Sequence, residues 1–514
     1  MSSRNGFLRG KGLTLLAVPW LALAAGLHAD TAPAAAPAPA ATSTPDPGPF
    51  NYTDFSWVLG NSRWTDNSMI DSKWFTPQFI VDVNYVDDFN HPIDHTISGS
   101  TSEGRSDEVQ LQQLGVGGDL HVDDGGGNQI RGRIMTGFGM DSEMVPRNDE
   151  TPSRGGWNLG GAYQIITEGY GGYHWDVLHG VNLDAGIFPS YVGLYNYYNT
   201  ENWTYQASYV SSNTPWFFNG VRLQIFPTDQ LKTEFWLING WQTYGMFNDK
   251  LAAGYQIKWA NLDGWFSSVY NGYVGFDSPD SPDLVRLHSD NSWLARDYKS
   301  ADKDSFFTWN AWSLTADIGG QQGPVGSATA GSGDPGHTDV TFGPGPNEEA
   351  FFGAMLYNRT QFYHDKFAFT FGGGFVNNPG QYLLLVPPVT VQATGQPATA
   401  GTYGTAVGEY DNGANGSDPN PHAVQPIPNE APGSAFIGEN FQVAFDYMPS
   451  QYLLYRIEFA HDETDIPYYS GPGGVTSTDG WNPAAGTGSS TGGGWTPDLV
   501  KFENRIELCM ELEI

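Results

Sequence analysis

Ile130-Arg131-Gly132-Arg133-Ile134-Met135-Thr136-Gly137-Phe138 decides the fold. One parity carries Ile130, Ile134 and Phe138, while the other carries Arg131 and Arg133. Side chains of a β-strand point alternately to opposite faces, so one face of this segment suits hydrocarbon and the other suits water. The split recurs along the chain. Val221, Leu223 and Ile225 oppose Arg222 and Gln224, and Leu251, Ala253, Tyr255, Ile257 and Trp259 oppose Gln256 and Lys258. Leu453, Tyr455, Ile457 and Phe459 oppose Arg456 and Glu458. Segments of about ten residues with this alternation are the sequence form of a transmembrane β-barrel.

The gaps between segments give an independent reading, because bacterial barrels alternate short periplasmic turns with long extracellular loops. Short turns fall at 123–128, 173–179, 228–230, 261–264, 295–304, 363–365 and 448–451. Long stretches rich in Gly, Pro, Ser, Asn and Asp fall at 87–107, 141–158, 189–216, 242–249, 276–283, 318–348, 377–436 and 462–499. Seven turns and eight loops interleave without a break in parity. They enclose about sixteen strands from Gln78 to Ile514, with both termini on the periplasmic side. The expected fold class is therefore all-β: a transmembrane, antiparallel, up-and-down barrel. A secreted β-sandwich also alternates, but it points its apolar parity into a core. Aromatic residues at segment ends, such as Tyr85, Phe89, Trp241, Trp259, Trp265, Tyr447 and Tyr455, favour the barrel, whose interfaces carry aromatic girdles.

Composition agrees. The 514 residues include 65 Gly, 34 Pro, 30 Phe, 26 Tyr and 17 Trp, which disfavours a helical protein. A formal charge of -33 argues against a nucleic-acid partner, which requires a basic face. The single cysteine, Cys509, allows neither an internal disulfide nor a thiolate metal cage. Residues 1–29 hold Arg4, Arg9 and Lys11, then an apolar run from Leu13 to Leu27, then a small-residue exit at Ala29. That run falls short of the roughly 20 residues that span a bilayer, and the segment reads as a cleaved secretory signal peptide. Residues 30–50 read as an Ala/Pro-rich linker, and 51–77, with Trp57, Trp64 and Trp74, as an arm or plug ahead of the barrel at 78–514.

Several stretches resemble the OmpL-like β-barrel porin family of Gram-negative outer membranes. They include Asp184-Ala185-Gly186-Ile187-Phe188, Asn213-Thr214-Pro215-Trp216-Phe217-Phe218-Asn219-Gly220-Val221-Arg222 and Ile238-Asn239-Gly240-Trp241. Phe445-Asp446-Tyr447-Met448-Pro449-Ser450 and Ile466-Pro467-Tyr468-Tyr469 extend the likeness toward the C-terminus. The resemblance runs from about Trp74 to the end and implies an outer-membrane location and a channel function, without fixing a solute. The last strand, Phe502 to Ile514, has mostly apolar even positions and mostly charged odd ones. It is similar to the C-terminal signal read by the outer-membrane assembly machinery, although that signal usually ends in an aromatic residue and this chain ends in Ile514.

A barrel of sixteen strands is too wide for side chains to fill, so it holds water, a plug or a folded-in loop. Loop 189–216 is the expected constriction, because an aromatic-rich loop is costly to leave in water; Tyr195, Tyr198, Glu201, Trp203 and Tyr205 are its candidate residues. Parity aims Arg131, Arg133, Arg222, Lys258, Arg456 and Arg505 into the lumen, with Asp184, Glu458 and Glu503 among the opposing acids. These would set selectivity. Alternatively, Arg456 with Glu458, and Arg505 with Glu503, neutralise each other and stiffen the wall. No metal or cofactor is expected: His91/His95 and His174/His179 lack a third ligand at metal spacing, and the acids of 277–283 read as solvated loop residues. No local spacing selects a Ser/His pair, so an enzyme is not expected. The expected function is a passive diffusion channel for small hydrophilic solutes or ions, with membrane lipid, lipopolysaccharide and the assembly machinery as partners and a homotrimer possible by analogy. The alternative is a structural or adhesive barrel whose loops bind a partner while the lumen is closed.

Overall fold

A computed structural model describes residues 72–101, 103–146, 159–277, 282–302, 304–323, 349–379, 435–475 and 498–514. The expected signal peptide at 1–29, the linker at 30–50 and most of the arm at 51–77 lie outside these residues, as do large parts of the longest loops.

The chain runs through β1 (Phe75–Asp88), β2 (Val109–Gly125), β3 (Asn128–Phe138), β4 (Ile166–Trp175), β5 (Val181–Pro189) and β6 (Phe217–Thr228). It continues through β7 (Leu231–Ile238), β8 (Ala252–Ala260), β9 (Phe266–Gly275), β10 (Val285–Lys299), β11 (Phe307–Gln322) and β12 (Glu349–Phe362). β13 (Phe367–Pro379), β14 (Ala435–Ser450), β15 (Leu453–Thr464), the two-residue strands β16 (Tyr469–Ser470) and β17 (Leu499–Val500), and β18 (Phe502–Glu513) complete it. Sixteen of these form one closed antiparallel barrel in sequence order, with β1 sealed against β18 by pairs running from Ile80↔Glu513 to Asp88↔Arg505. β16 and β17 pair separately within the last loop. Closure leaves no edge strand to seek another partner. Among the described residues, three one-turn helices, α1 (Asp141–Met144), α2 (Leu159–Tyr163) and α3 (Tyr209–Ser212), occur in loops.

The wall is inside-out relative to a water-soluble protein. On β7, Phe235 is 55% exposed while Glu234 beside it is 2% exposed. On β18, Leu508 is 48% exposed while Glu507 is fully buried. The apolar parity faces outward and the charged parity inward on strand after strand, which is the demand of hydrocarbon outside a polar interior. Tight turns close one end. Gly126, in the left-handed region at φ +65°, makes the β2–β3 turn, where an L side chain would be strained. Gly186 at φ +143° lets β5 approach β4, since a Cβ there would stand 2.1 Å from the carbonyl oxygen of Gly169.

The strand order and count agree with the sequence reading, and several strand ends differ locally, as where β11 runs to Gln322 into the loop expected from 318. β1 begins at Phe75, because Phe75–Pro77 pair with Gly118–Leu120 ahead of Gln78. β10 runs to Lys299 through the segment expected as a turn from Ala295, because Tyr298 and Lys299 pair with Asn310 and Trp309. The last long loop contains the β16–β17 ladder, which no alternation signalled.

Candidate functional site

Every candidate on the strands lies on the inward face. Arg133 on β3 is held by three groups: its Nε donates to Glu168 Oε1 at 2.7 Å, its Nη1 to Asp119 Oδ2 at 2.7 Å, and its Nη2 to Gln78. Arg131, two residues earlier, is less shielded; its side chain is 24% exposed and its Nε lies 3.5 Å from Asp184 Oδ1. Asp184 on β5 also accepts from Arg222 Nη2 of β6 at 3.0 Å. The Arg222 guanidinium lies 5.1, 4.7 and 5.4 Å from the ring centres of Tyr170, Phe188 and Trp236, so its charge is held by π faces as well as by Asp184. Lys258 on β8 is buried opposite Lys232 of β7, whose Nζ pairs with Glu234 at 2.7 Å.

Arg456 on β15 makes its direct ion pairs with neighbouring strands. Its Nε and Nη2 form a fork on Asp446 of β14 at 2.7 and 3.1 Å, and its Nη1 lies 3.7 Å from Glu511 of β18. A neighbouring strand offers a better bidentate geometry than the residue two along the same strand. Arg505 does approach Glu503, at 3.2 Å, but Glu103, Glu507 and Asp462 surround it as well, at 3.5, 3.6 and 3.7 Å.

Loop 189–216 lies within the barrel, buried along its length. It contacts the wall on several sides. The Tyr191 hydroxyl donates to Gly272 O of β9 at 3.1 Å, and the Tyr198 hydroxyl to Glu168 of β4 at 2.6 Å. Tyr195 bonds Thr204 within the loop and sets its ring edge-on to Tyr357 of β12 at 6.0 Å. Glu201 is buried in a single 3-10 turn, Asn199–Glu201, beside Thr200, which donates to Glu513 at 2.6 Å. The Trp203 carbonyl accepts from Arg359 of β12 at 3.4 Å. Tyr205 donates its hydroxyl proton to Asp82 Oδ1 at 3.0 Å, accepts from Asn84 at 2.9 Å, and gives its backbone N–H to Glu458 at 2.6 Å.

Several groups escaped sequence reasoning. Arg359 pairs with Asp446 at 2.8 Å, but it sits in Asn358-Arg359-Thr360, where both parities are polar. Glu103 and Asp141 enter the interior from loops, where no periodicity marks orientation. Burial pushes both carboxyls upward, with Arg505 partly offsetting the rise at Glu103 and a hydrogen bond from Gln112 offsetting it at Asp141. Among the described residues one grouping could hold a metal ion, Asp87, His91 and Asp107. Asp107 is 16 positions beyond His91, too far for a spacing signal, and the imidazole is largely exposed. Asp87 and Asp107 are half-buried, and each approaches the His91 ring, at 3.9 and 3.5 Å.

The fold is similar to several solved outer-membrane proteins. OmpT of Vibrio cholerae aligns over 87% of this chain and 99% of its own, at 7% identity and a TM-score of 0.43. The outer membrane channel DcaP of Acinetobacter baumannii aligns over 87% and 100%, at 12% identity and 0.43. An anion-selective porin from Comamonas acidovorans aligns over 86% and 99%, at 7% identity and 0.43. No curated protein matches the chain. The family described as "Putative beta-barrel porin-2, OmpL-like" matches residues 75–507, most of the chain, from the start of β1 into β18, so the chain belongs to that outer-membrane porin family.

Proposed function

We propose that the protein is a passive diffusion channel of the outer membrane, passing small hydrophilic solutes or ions. One observation carries the reading: a closed sixteen-strand wall turns a charged face inward and an apolar face outward. On this reading Arg131, Arg133, Asp184, Arg222, Lys258, Arg456, Glu458, Glu503 and Arg505 line the pore. Tyr195, Tyr198, Glu201, Trp203 and Tyr205 belong to its constriction. Residues 1–29 direct export, 30–50 act as a linker, the short turns face the periplasm, and the protein passes through the assembly machinery into lipid and lipopolysaccharide. A homotrimer is the assembly we expect.

A second reading, a structural or adhesive barrel with a sealed lumen, is favoured by the continuous burial of the inserted loop. Planar-bilayer recording of the purified protein separates the two. Stepwise current supports the channel, and a silent bilayer containing folded, heat-modifiable protein supports the sealed barrel.

A further inference from the structure

β18 turns Glu503, Arg505, Glu507, Cys509, Glu511 and Glu513 inward, all 5% exposed or less. Same-face side chains of a strand recur at roughly 7 Å, so this file spans most of the wall's height. Both neighbouring strands add acids in register. On β15, Asp462 stands beside Glu503 and Glu458 beside Glu507. On β1, Asp88 stands beside Arg505 and Asp82 beside Glu511. Half a turn around the barrel, β7 and β8 carry inward Lys232 and Lys258 instead.

Some of these carboxyls are satisfied. Asp82 accepts from Asn199 and Tyr205, Glu458 from the amides of Tyr205 and Gln206, and Glu513 from Gln78 and Thr200. Glu503 and Glu507 are different. Both are fully buried; among the described residues no hydrogen-bond donor reaches either oxygen of Glu507, while Glu503 meets only Arg505 Nε at 3.2 Å and the carboxyl of Asp88. Their nearest cation is Arg505, one guanidinium that also faces Glu103 and Asp462. Two neutral acceptors nearby are likewise without donors: Oε1 of Gln206, whose Nε2 donates to Asp462, and Oδ1 of Asn84, which is in register with Cys509.

A buried carboxylate without a partner is costly, and the cost is removed by a proton or by a cation. A proton on a glutamate leaves the amide oxygens of Gln206 and Asn84 unsatisfied, whereas a cation draws on carboxylate and amide oxygens together. The spacing along the strand is too wide for one chelated metal ion, whose oxygen ligands lie at about 2.3–2.6 Å. It suits small monovalent ions or ammonium and guanidinium groups that donate to several oxygens. We propose that the interior face formed by β1, β15 and β18, centred on Glu503 and Glu507, is a binding site for small cations and excludes anions. The resulting cation preference in conduction rests on the channel reading above, but the binding does not.

Cys509 lies in the file between Glu507 and Glu511 and is the only thiol in the chain. It reports the local potential without any current. Reconstituted protein is treated with a cationic and an anionic methanethiosulfonate reagent, and the ratio of rates at Cys509 is divided by the same ratio for free cysteine. Carboxylates at about 7 Å should raise the normalised ratio at least about tenfold, and Glu507→Gln should bring it down severalfold. A ratio near one, no effect of Glu507→Gln, or no modification by the cationic reagent overturns the site. In parallel, the reversal potential in a tenfold KCl gradient should lie on the cation side and move toward zero in Glu507→Gln, whose folding is checked by heat-modifiable migration. Current without cation preference refutes the inference and leaves the channel standing. A silent bilayer refutes the channel, and the thiol ratio still decides the site.

Discussion

Ile134→Arg tests the two-solvent wall directly, because it places an arginine one residue beyond an arginine the protein already uses. Arg133 is inward, 7% exposed, and bonded to Glu168, Asp119 and Gln78; Ile134 is outward and 53% exposed. In register, Ile134 is flanked by Gly118 and Gly169, so no neighbouring side chain can pair with a new guanidinium. Ile134 is the seventh residue of β3, which starts at the turn end. With a rise of about 3.3 Å per residue and a tilt of about 40°, it stands roughly 15 Å above that end, near the middle of the apolar band. Arginine there should destabilise the barrel by about 2–4 kcal/mol, or about two orders of magnitude in the folding equilibrium. Ile130→Arg is the control, only roughly 5 Å above the turn end, where the cost should fall to about 0–1 kcal/mol. Urea titration of refolding into lipid vesicles, followed by heat-modifiable migration, reads both. On a water-exposed surface each change would fall within about 0.5 kcal/mol. Equal small effects at both sites would therefore refute the hydrocarbon assignment of this face.

Two further outcomes follow from the interior. Arg222→Lys keeps the charge beside Asp184 but loses the planar contact with Tyr170, Phe188 and Trp236, and should lower stability by about 1–2 kcal/mol in the same titration, more than a surface Arg→Lys change. Asp141 has its carboxyl raised by burial, so the native state loses stability as pH rises from the unfolded value of about 3.9 through the folded one. Asp141→Asn, which can still accept from Gln112, should then be more stable than the parent at neutral pH and equal to it near pH 3, as measured by urea midpoints at the two pH values.

The strand order was legible because each membrane strand must satisfy two solvents within its own ten or so residues, so the demand is written locally. In β3, β8 and β15 alternating apolar and charged residues mark the two sides over most of the strand. The reading failed where that demand relaxes. Asn358-Arg359-Thr360 is polar on both parities, because Asn358 and Thr360 bond outward to Asn310 while Arg359 turns inward to Asp446. The sequence alone therefore does not assign Arg359 a side. Near the turn end, Arg296, Asp297 and Lys299 carry β10 beyond its apolar stretch, held by pairing with β11 rather than by alternation. The aromatic content of loop 189–216 pointed to burial, but its partners Asp82, Glu168, Arg359 and Glu513 are scattered across the chain. Only closure of the barrel brings them to one place.

The docking of that loop explains why two carboxylates in adjacent register should behave differently. The loop offers donors to acids and acceptors to arginines: the amides of Tyr205 and Gln206 go to Glu458, and the carbonyl of Asn202 goes to Arg456 at 2.9 Å. Glu458 thus anchors the loop through charge-assisted bonds, while Glu507, its register partner on β18, receives none. Glu458→Gln keeps an acceptor but loses the charge, weakening the two amide bonds by about 1–2 kcal/mol in total. On the proposed reading it should make single-channel current noisier through a looser loop. Glu507→Gln leaves every loop contact in place and should instead change which ions pass. If both substitutions altered only noise, or only selectivity, the separation between a wall that anchors the loop and a wall that holds cations would be wrong.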